Sequence, residues 1–517
     1  MTHSTNIERV YGPPGTGKTT HLLNIVEAEI DIGTDPTKIG FFAFTRDAAS
    51  EAKTRAMERF SLETKDLPFF RTMHSLAYRS SQGTMGLITT DGYREFMDEM
   101  NMYIPGDGQK SLWEFENSYI MILISQNPSM RIISMSRQKG ISLSDAHTQL
   151  GDLSVSWPET KRIAESYNNF KETHNFYDYT DVLELFVRDL GGILPEFDLV
   201  CIDEAQDLDK LQWQMVDIIA GKTKRLVLAG DDDQAIYKWN GAEPEMFVNR
   251  EAEDTVLGQS YRVPSKVHTV AEMIANKMTD RRPKEYRPRD EEGKVVHHAD
   301  IHSVPFDKEG SWLVIGQNGG ILKQAYPVLK AGGHFYTDNF RKSSVDIKTG
   351  VAIIAWEALR KGREITLTEA EALYTFIPSG LGGIRRGGKN SLGEYDGSYP
   401  LTLQTLKENH GMDCPDELWH VVLRDMADAD RIYITDMLRN GEQFNREPRF
   451  RVQTIHKSKG GEADHVALFT ELGQKSYQEG LDDPDINHRL FYVAVTRAKQ
   501  SLHIINPRGK RPYYAGL

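Results

Sequence analysis

The chain has 517 residues, 39% hydrophobic, 26% charged and 9% aromatic, with a formal net charge of −13. That length sets several domains at roughly 100–200 residues each, and the composition excludes a disordered or fibrous chain. No apolar run reaches the ~20 residues of a membrane helix; Cys201 and Cys414 have no paired spacing, which excludes disulfide frameworks and zinc knuckles; the acidic balance argues against a passive nucleic-acid coat.

Met1 to Gly12 is polar and lacks the apolar core of a signal peptide, so a cytoplasmic, reducing location with no membrane partner is expected. Basic residues still cluster locally, at Arg281, Arg282, Lys284, Arg287 and Arg289 and in the tail from Arg497. The ordinary reading of such runs is solvated surface charge.

In chain order, a strand from Glu8 to Tyr11 runs into Gly12-Pro13-Pro14-Gly15-Thr16-Gly17-Lys18-Thr19-Thr20, and a helix follows from about Lys18 to Ile30. An apolar run, Ile39 to Phe44, precedes an Ala/Glu/Arg-rich helix, Ala48 to Phe60. Leu199 to Ile202 reads as a buried strand ending on Asp203-Glu204, and Arg225 to Ala229 as another ending on Gly230-Asp231-Asp232-Asp233-Gln234. The pattern restarts with strands at Trp312 to Ile315, Val452 to Thr454, Val466 to Phe469 and Ser501 to Ile505, and helices at Ile321 to Lys330 and His488 to Arg497. Strands alternating with helices argue for parallel sheets, whose ligands collect at the carboxyl ends of the strands. Tyr78 to Tyr177, mainly helical in pattern, and Asp338 to Asn445, with a Gly-rich patch at Gly380 to Gly393, read as inserts.

Gly12-x-x-x-x-Gly17-Lys18-Thr19 has the full Walker A spacing between a strand and a helix. Its glycines let backbone N–H groups approach phosphate oxygens, Lys18 reaches the terminal phosphates, the Thr19 hydroxyl suits Mg²⁺, and the helix N-terminus adds its positive dipole end. Asp203 and Glu204 end an apolar strand as a Walker B pair does, Asp203 for Mg²⁺ and Glu204 to orient or deprotonate the attacking water.

Asp203-Glu204-Ala205-Gln206-Asp207, Gly230 to Ala242, Gln259-Ser260-Tyr261-Arg262, Thr454 to Glu462 and Tyr492 to Ala498 closely resemble, in order and spacing, the UvrD/Rep/PcrA branch of superfamily 1 helicases. Thr45 to Arg55, Thr72 to Arg79 and Tyr177 to Asp181 fit further segments of that pattern. The resemblance implies two RecA-like α/β domains, at 1–78 with 178–250 and at 251–337 with 446–517, interrupted by accessory subdomains at 79–177 and 338–445. It implies an ATP-dependent DNA helicase moving 3′ to 5′ on single-stranded DNA and acting at single-strand/duplex junctions; the alternative is a translocase that displaces bound proteins without processive unwinding. Gln234 would sense the γ-phosphate, Arg262 and Arg497 would be arginine fingers from the second domain, Tyr261 would stack on the base and Glu462 would accept from the ribose beside Gly460. Phe44, Tyr237 and Trp239 would be stacking platforms for bases, with Thr45, His74 and His456 beside them. The Lys459-Gly460 step supports the polarity, since the opposite branch tends to carry Gln-Gly there.

Departures from the pattern shape further expectations. Eleven residues precede Gly12, leaving no place for the family's upstream adenine-reading Gln, so weak discrimination among triphosphates is expected. Asn240 stands where relatives carry Arg, and Gly461 where they carry a larger apolar residue; losing that cation would weaken the grip on the strand. The second insert is shorter than in larger relatives, the chain leaves no room for a fused nuclease, and a monomer is expected.

Overall fold

A computed structural model describes residues 5–81, 85–102, 127–150, 155–444, 446–509 and 511–513. The chain divides into two compact units, Met1–Arg262 with Met278–Arg289, and Val263–Lys277 with Asp290–Leu517. Lys510 of the basic tail and parts of the first insert lie outside the described residues.

The first unit carries β1 (Asn6–Tyr11), β2 (Ile39–Ala43) and β3 (Phe70–Thr72), a small parallel pair β4 (Gly86–Leu87) and β5 (Phe176–Tyr177), then β6 (Phe197–Ile202), β7 (Thr223–Gly230) and β8 (Glu253–Val256). Six of these form one parallel sheet in the order β3-β2-β6-β7-β1-β8. Its central strands are apolar almost without a break because helices cover both faces. Neighbouring residues of one strand therefore enter opposite cores: Phe42, Val200 and Leu226 pack on one side, Phe41, Cys201 and Val227 on the other. β8 is polar and exposed, which hides it from a search for apolar runs. The insert contributes the helices Thr90–Glu99, Pro128–Lys139, Leu143–Leu150 and Trp157–His174, packed around Tyr93, Phe96, Met130 and Tyr167.

The helix Lys210–Ala220 behind β6 is capped by Asp209, whose side chain accepts from the Gln212 N–H. Asp209 is buried, and burial, reinforced by the charge of Glu243, pushes its carboxyl up to about 7. The fold thus favours the protonated form. This contribution to stability is complete below the unfolded carboxyl's value of 3.8 and is lost as pH rises through about 7. Asp209→Asn keeps a capping oxygen without the titration, so it should match the wild type in urea unfolding near pH 4 and exceed it near pH 8, by on the order of 1–3 kcal/mol. Equal unfolding midpoints near pH 8 would contradict this.

β9 (Gln259–Pro264) and β10 (Arg287–Arg289) form a two-stranded ribbon. The second unit carries β11 (Lys294–His298), β12 (Trp312–Gly316), β13 (Tyr336–Thr337), β14 (Phe450–Thr454), β15 (Ala463–Phe469) and β16 (Ala498–Ile505), again one parallel sheet, ordered β11-β16-β15-β12-β14-β13. The single helix expected over Ile321 to Lys330 is two, Gly319–Leu322 and Ala325–Ala331. Pro327 explains the break: it has no N–H to give a carbonyl four residues back, and its ring would clash there. Between β13 and β14 lie the helices Ile347–Arg360, Leu367–Phe376, Gly388–Gly393, Leu403–Asn409, Trp419–Val422 and Asp428–Arg439, with a core around Trp356, Leu373, Leu406 and Met437. Among the described residues no helix is long and apolar enough to cross a membrane.

Candidate nucleotide site and nucleic-acid interface

The residues that the motifs single out in the first unit up to Gln234 sit just past the carboxyl ends of strands: Gly12 to Thr19 after β1, Phe44 and Thr45 after β2, His74 after β3, Asp203 and Glu204 after β6, and Asp231 to Gln234 after β7. The phosphate loop leaves β1 with the Gly12 N–H bonded to the Gly230 carbonyl at 3.0 Å, which joins it to the end of β7. Gly15 (φ +75°) and Gly17 (φ +79°) take left-handed conformations that a side chain would strain. Gly17 caps the helix Lys18–Asp31, and among the described residues no side chain caps its first N–H groups. A turn of this kind with uncapped amides is an anion cradle.

Lys18 folds back over the loop, giving its ammonium to the Gly12 carbonyl at 2.7 Å and lying 3.7 Å from Glu204 Oε1. Thr19 Oγ1 donates to Asp203 Oδ2 at 2.7 Å, a hydroxyl–carboxylate pair of the kind that holds a hard divalent cation. Burial pushes the Asp203 carboxyl up to about 6, the charge of Glu204 adding to the effect while Lys18 and the Thr19 hydrogen bond oppose it. Thr16 turns inward to the Pro13 carbonyl at 2.8 Å, and the Thr20 hydroxyl accepts from Arg55 at 3.0 Å.

Four residues that the motifs leave without a role, Gln206, Asp231, Ser260 and Tyr286, hold this edge together. Gln206, fully buried, donates to Glu204 Oε2 at 2.6 Å and accepts from the Asp231 N–H at 2.9 Å. Asp231 in turn accepts from the Gln234 amide at 2.7 Å. Ser260 donates to the Pro14 carbonyl at 2.9 Å and Tyr286 to the same carbonyl at 3.0 Å. Gln206 had no visible signal beyond its place in a motif, and Tyr286 had none.

Tyr261 and Arg262 come to the phosphate loop within the first unit. The Tyr261 N–H donates to the Gly15 carbonyl at 2.8 Å, and a Cβ added at Gly15 would lie 2.4 Å from Arg262 Cβ. Tyr261 is 74% exposed, an open ring face beside the loop. Gly460, Glu462 and Arg497 gather separately in the second unit. Arg497 is buried and gives Nε to the Val493 carbonyl at 2.9 Å and a terminal nitrogen to the Gly461 carbonyl at 3.2 Å; Glu462 pairs with Lys499 at 3.3 Å. Gly460 has φ +83°, a conformation that favours glycine.

Phe44, Tyr237 and Trp239 form a row of rings, with centroids 5.2 Å apart for the first pair and 6.5 Å for the second. Thr45 caps the helix Arg46–Phe60 through the Ala48 N–H, which commits its hydroxyl to the backbone. His74 packs edge-on against Tyr179 at 5.9 Å, and burial, with the charge of Arg46, pushes its imidazole down to about 4, so it is neutral near pH 7. His456 lies in the short helix Ile455–Ser458 of the second unit, apart from this row in the chain. Asn240 ends the short turn Lys238–Asn240 that carries Trp239.

A six-stranded parallel sheet with a glycine-rich loop after its first strand, a hydroxyl–carboxylate pair beneath it and a row of aromatic rings alongside defines a phosphate-loop nucleotide-binding protein with a candidate strand-binding edge. Family models carry this further: the UvrD/REP helicase N-terminal domain matches residues 1–254 and the UvrD-like helicase C-terminal domain matches 449–505. The chain belongs to the UvrD/Rep helicase family. Among curated relatives it is 26% identical over 312 residues to a probable DNA helicase II homolog of Mycoplasma capricolum, covering 56% of this chain and 41% of that protein. It is 27% identical over 294 residues to the ATP-dependent DNA helicase PcrA of Staphylococcus epidermidis, covering 52% of this chain and 38% of that protein. The chain thus spans less than half the length of these relatives. Among solved structures, an arterivirus helicase bound to DNA matches at 11% identity and a TM-score of 0.33, over 97% of this chain and 61% of that one, too distant to add weight.

Proposed function

We propose that this chain is an ATP-dependent motor on single-stranded DNA, a helicase that moves 3′ to 5′ and separates duplex strands ahead of it. The observation that carries the reading is the shared sheet edge: the Thr19–Asp203 pair and the Phe44, Tyr237 and Trp239 row stand on loops of adjacent parallel strands, and Gln206, Asp231 and Gln234 join the loops that follow β6 and β7.

The loop amides and Lys18 would bind the triphosphate, and Tyr261 offers its open face to the base. One hydroxyl and one carboxylate fit Mg²⁺, which takes its remaining oxygens from phosphate and water and lends charge neutralisation at the transferred group. Glu204 and the Gln234 amide would orient the attacking water, with Glu204 taking its proton. Arg262 and Arg497 would stabilise charge on the transferred phosphoryl group. The aromatic row would hold successive bases without reading sequence. The Lys459-Gly460 step supports the 3′-to-5′ polarity.

Hydrolysis stimulated by single-stranded DNA, followed by unwinding of duplexes with a 3′ or a 5′ tail, tests the reading. Separation of the 3′-tailed duplex alone is expected. Separation of only the 5′-tailed one would refute the polarity, and stimulated hydrolysis without any separation would favour a translocase that clears proteins from single strands.

A further inference from the structure

The basic run Arg281 to Arg289 should be solvated if it were ordinary surface charge, and reachable if it were a nucleic-acid patch. Its central member is neither. The Lys284 side chain is 1% exposed, and its ammonium lies 3.0 Å from Asp231, 2.6 Å from Asp232 and 3.1 Å from Asp233. Arg281 grips Asp233 with two bonds, of 2.9 and 2.6 Å, while the Arg282 N–H donates to Asp232 at 2.8 Å and its guanidinium pairs with Asp254. Three carboxylates on consecutive, buried residues repel one another, and in a place closed to water only fixed cations can hold them ionised together.

The turn so neutralised is the one that carries the chemistry. Asp231 offers one oxygen to Lys284 and the other to the Gln234 amide at 2.7 Å, while its N–H holds Gln206, which holds Glu204 at 2.6 Å. Gly230 is pinned against the same Gln206: a Cβ there would lie 2.5 Å from Gln206 Oε1. A continuous buried chain of polar contacts therefore runs from Lys284 to both groups that would face the attacking water.

We propose that Lys284, seconded by Arg281, is a positioning residue for triphosphate hydrolysis, setting Asp231 and through it the Gln234 amide and the Gln206–Glu204 pair. The inference rests on the roles proposed above for Glu204 and Gln234. Removing the cation leaves three adjacent buried carboxylates that must take up a proton or part, and either change moves the Gln234 amide. The direct contacts of the Lys284 ammonium are Asp231, Asp232, Asp233 and the Arg282 carbonyl rather than the phosphate-loop amides or the exposed Trp239 ring, so nucleotide and strand binding should persist.

The test uses the full chain and compares Lys284→Met, Arg281→Gln and Arg281→Lys for hydrolysis with a saturating oligothymidylate, for nucleotide KM and for oligothymidylate Kd. Lys284→Met should lower kcat about tenfold or more, with KM and Kd within about twofold of the wild type. Arg281→Gln should show a smaller fall of the same kind, and Arg281→Lys should recover most of it. A folded Lys284→Met with wild-type kcat, or one that loses KM and Kd in step with kcat, overturns the inference. Should Lys284→Met fail to fold, Arg281, 18% exposed, decides: wild-type kcat in Arg281→Gln overturns it equally. A wild-type protein that hydrolyses no triphosphate refutes the functional reading and this inference with it, whereas normal wild-type turnover with unaffected variants refutes this inference alone.

Discussion

Lys18→Ala is expected to lower strand-stimulated triphosphate hydrolysis by about 10²–10³-fold or more, the range seen when one preorganised charge-stabilising donor is removed from an active site. The ammonium rests on the Gly12 carbonyl at 2.7 Å and near Glu204 at 3.7 Å, held over the loop with little water around it. That position is the one from which a cation reaches phosphates cradled by the loop, and no other Lys or Arg lies within the segment Gly12 to Thr20. The fold should tolerate the change: the lost contacts are one hydrogen bond to a loop carbonyl and one pair with a carboxylate. Release of inorganic phosphate, measured beside the far-ultraviolet circular dichroism of the variant, checks both halves. Hydrolysis within about tenfold of wild type in a folded variant would remove Lys18 from the site.

Trp239→Ala should weaken single-stranded DNA binding about 5- to 100-fold, the equivalent of one base stack at roughly 1–3 kcal/mol. The ring is 46% exposed and belongs to a row with Tyr237 and Phe44, so its removal uncovers no core. Phe44 and Tyr237 are half-buried and their truncation would mix binding with packing, which makes Trp239 the cleaner probe. Affinity for a labelled oligothymidylate should fall while nucleotide affinity without DNA stays unchanged, and Trp239→Phe should retain most of the binding. Wild-type affinity in Trp239→Ala would place the strand elsewhere.

Much of the candidate site was legible in the sequence because its parts are local. The phosphate loop is one turn whose spacing, two left-handed glycines and following helix are all contained between Gly12 and Asp31. β2, β6 and β7 announce themselves as short apolar runs that end on polar residues, since strands buried on both faces of a parallel sheet have no polar positions to spare. The same rule passes over β8, whose exposed edge carries no apolar signal, and the helix break before Ala325 needed attention to a single proline rather than to periodicity.

The partners of the charges were decided by tertiary structure alone. Composition shows five basic residues between Arg281 and Arg289, and the simplest expectation for them is solvent; in the fold Lys284 is enclosed by carboxylates some fifty residues earlier in the chain. Gln206 likewise reads as one polar residue after a Walker B pair, yet the pairing of β6 with β7 sets its amide between Glu204 and Asp231. Periodicity and spacing report how a residue stands within its own strand or turn. Which distant charge it must neutralise depends on the order of strands in the sheet, and a buried carboxylate, which cannot stay ionised without a fixed cation, makes that order matter.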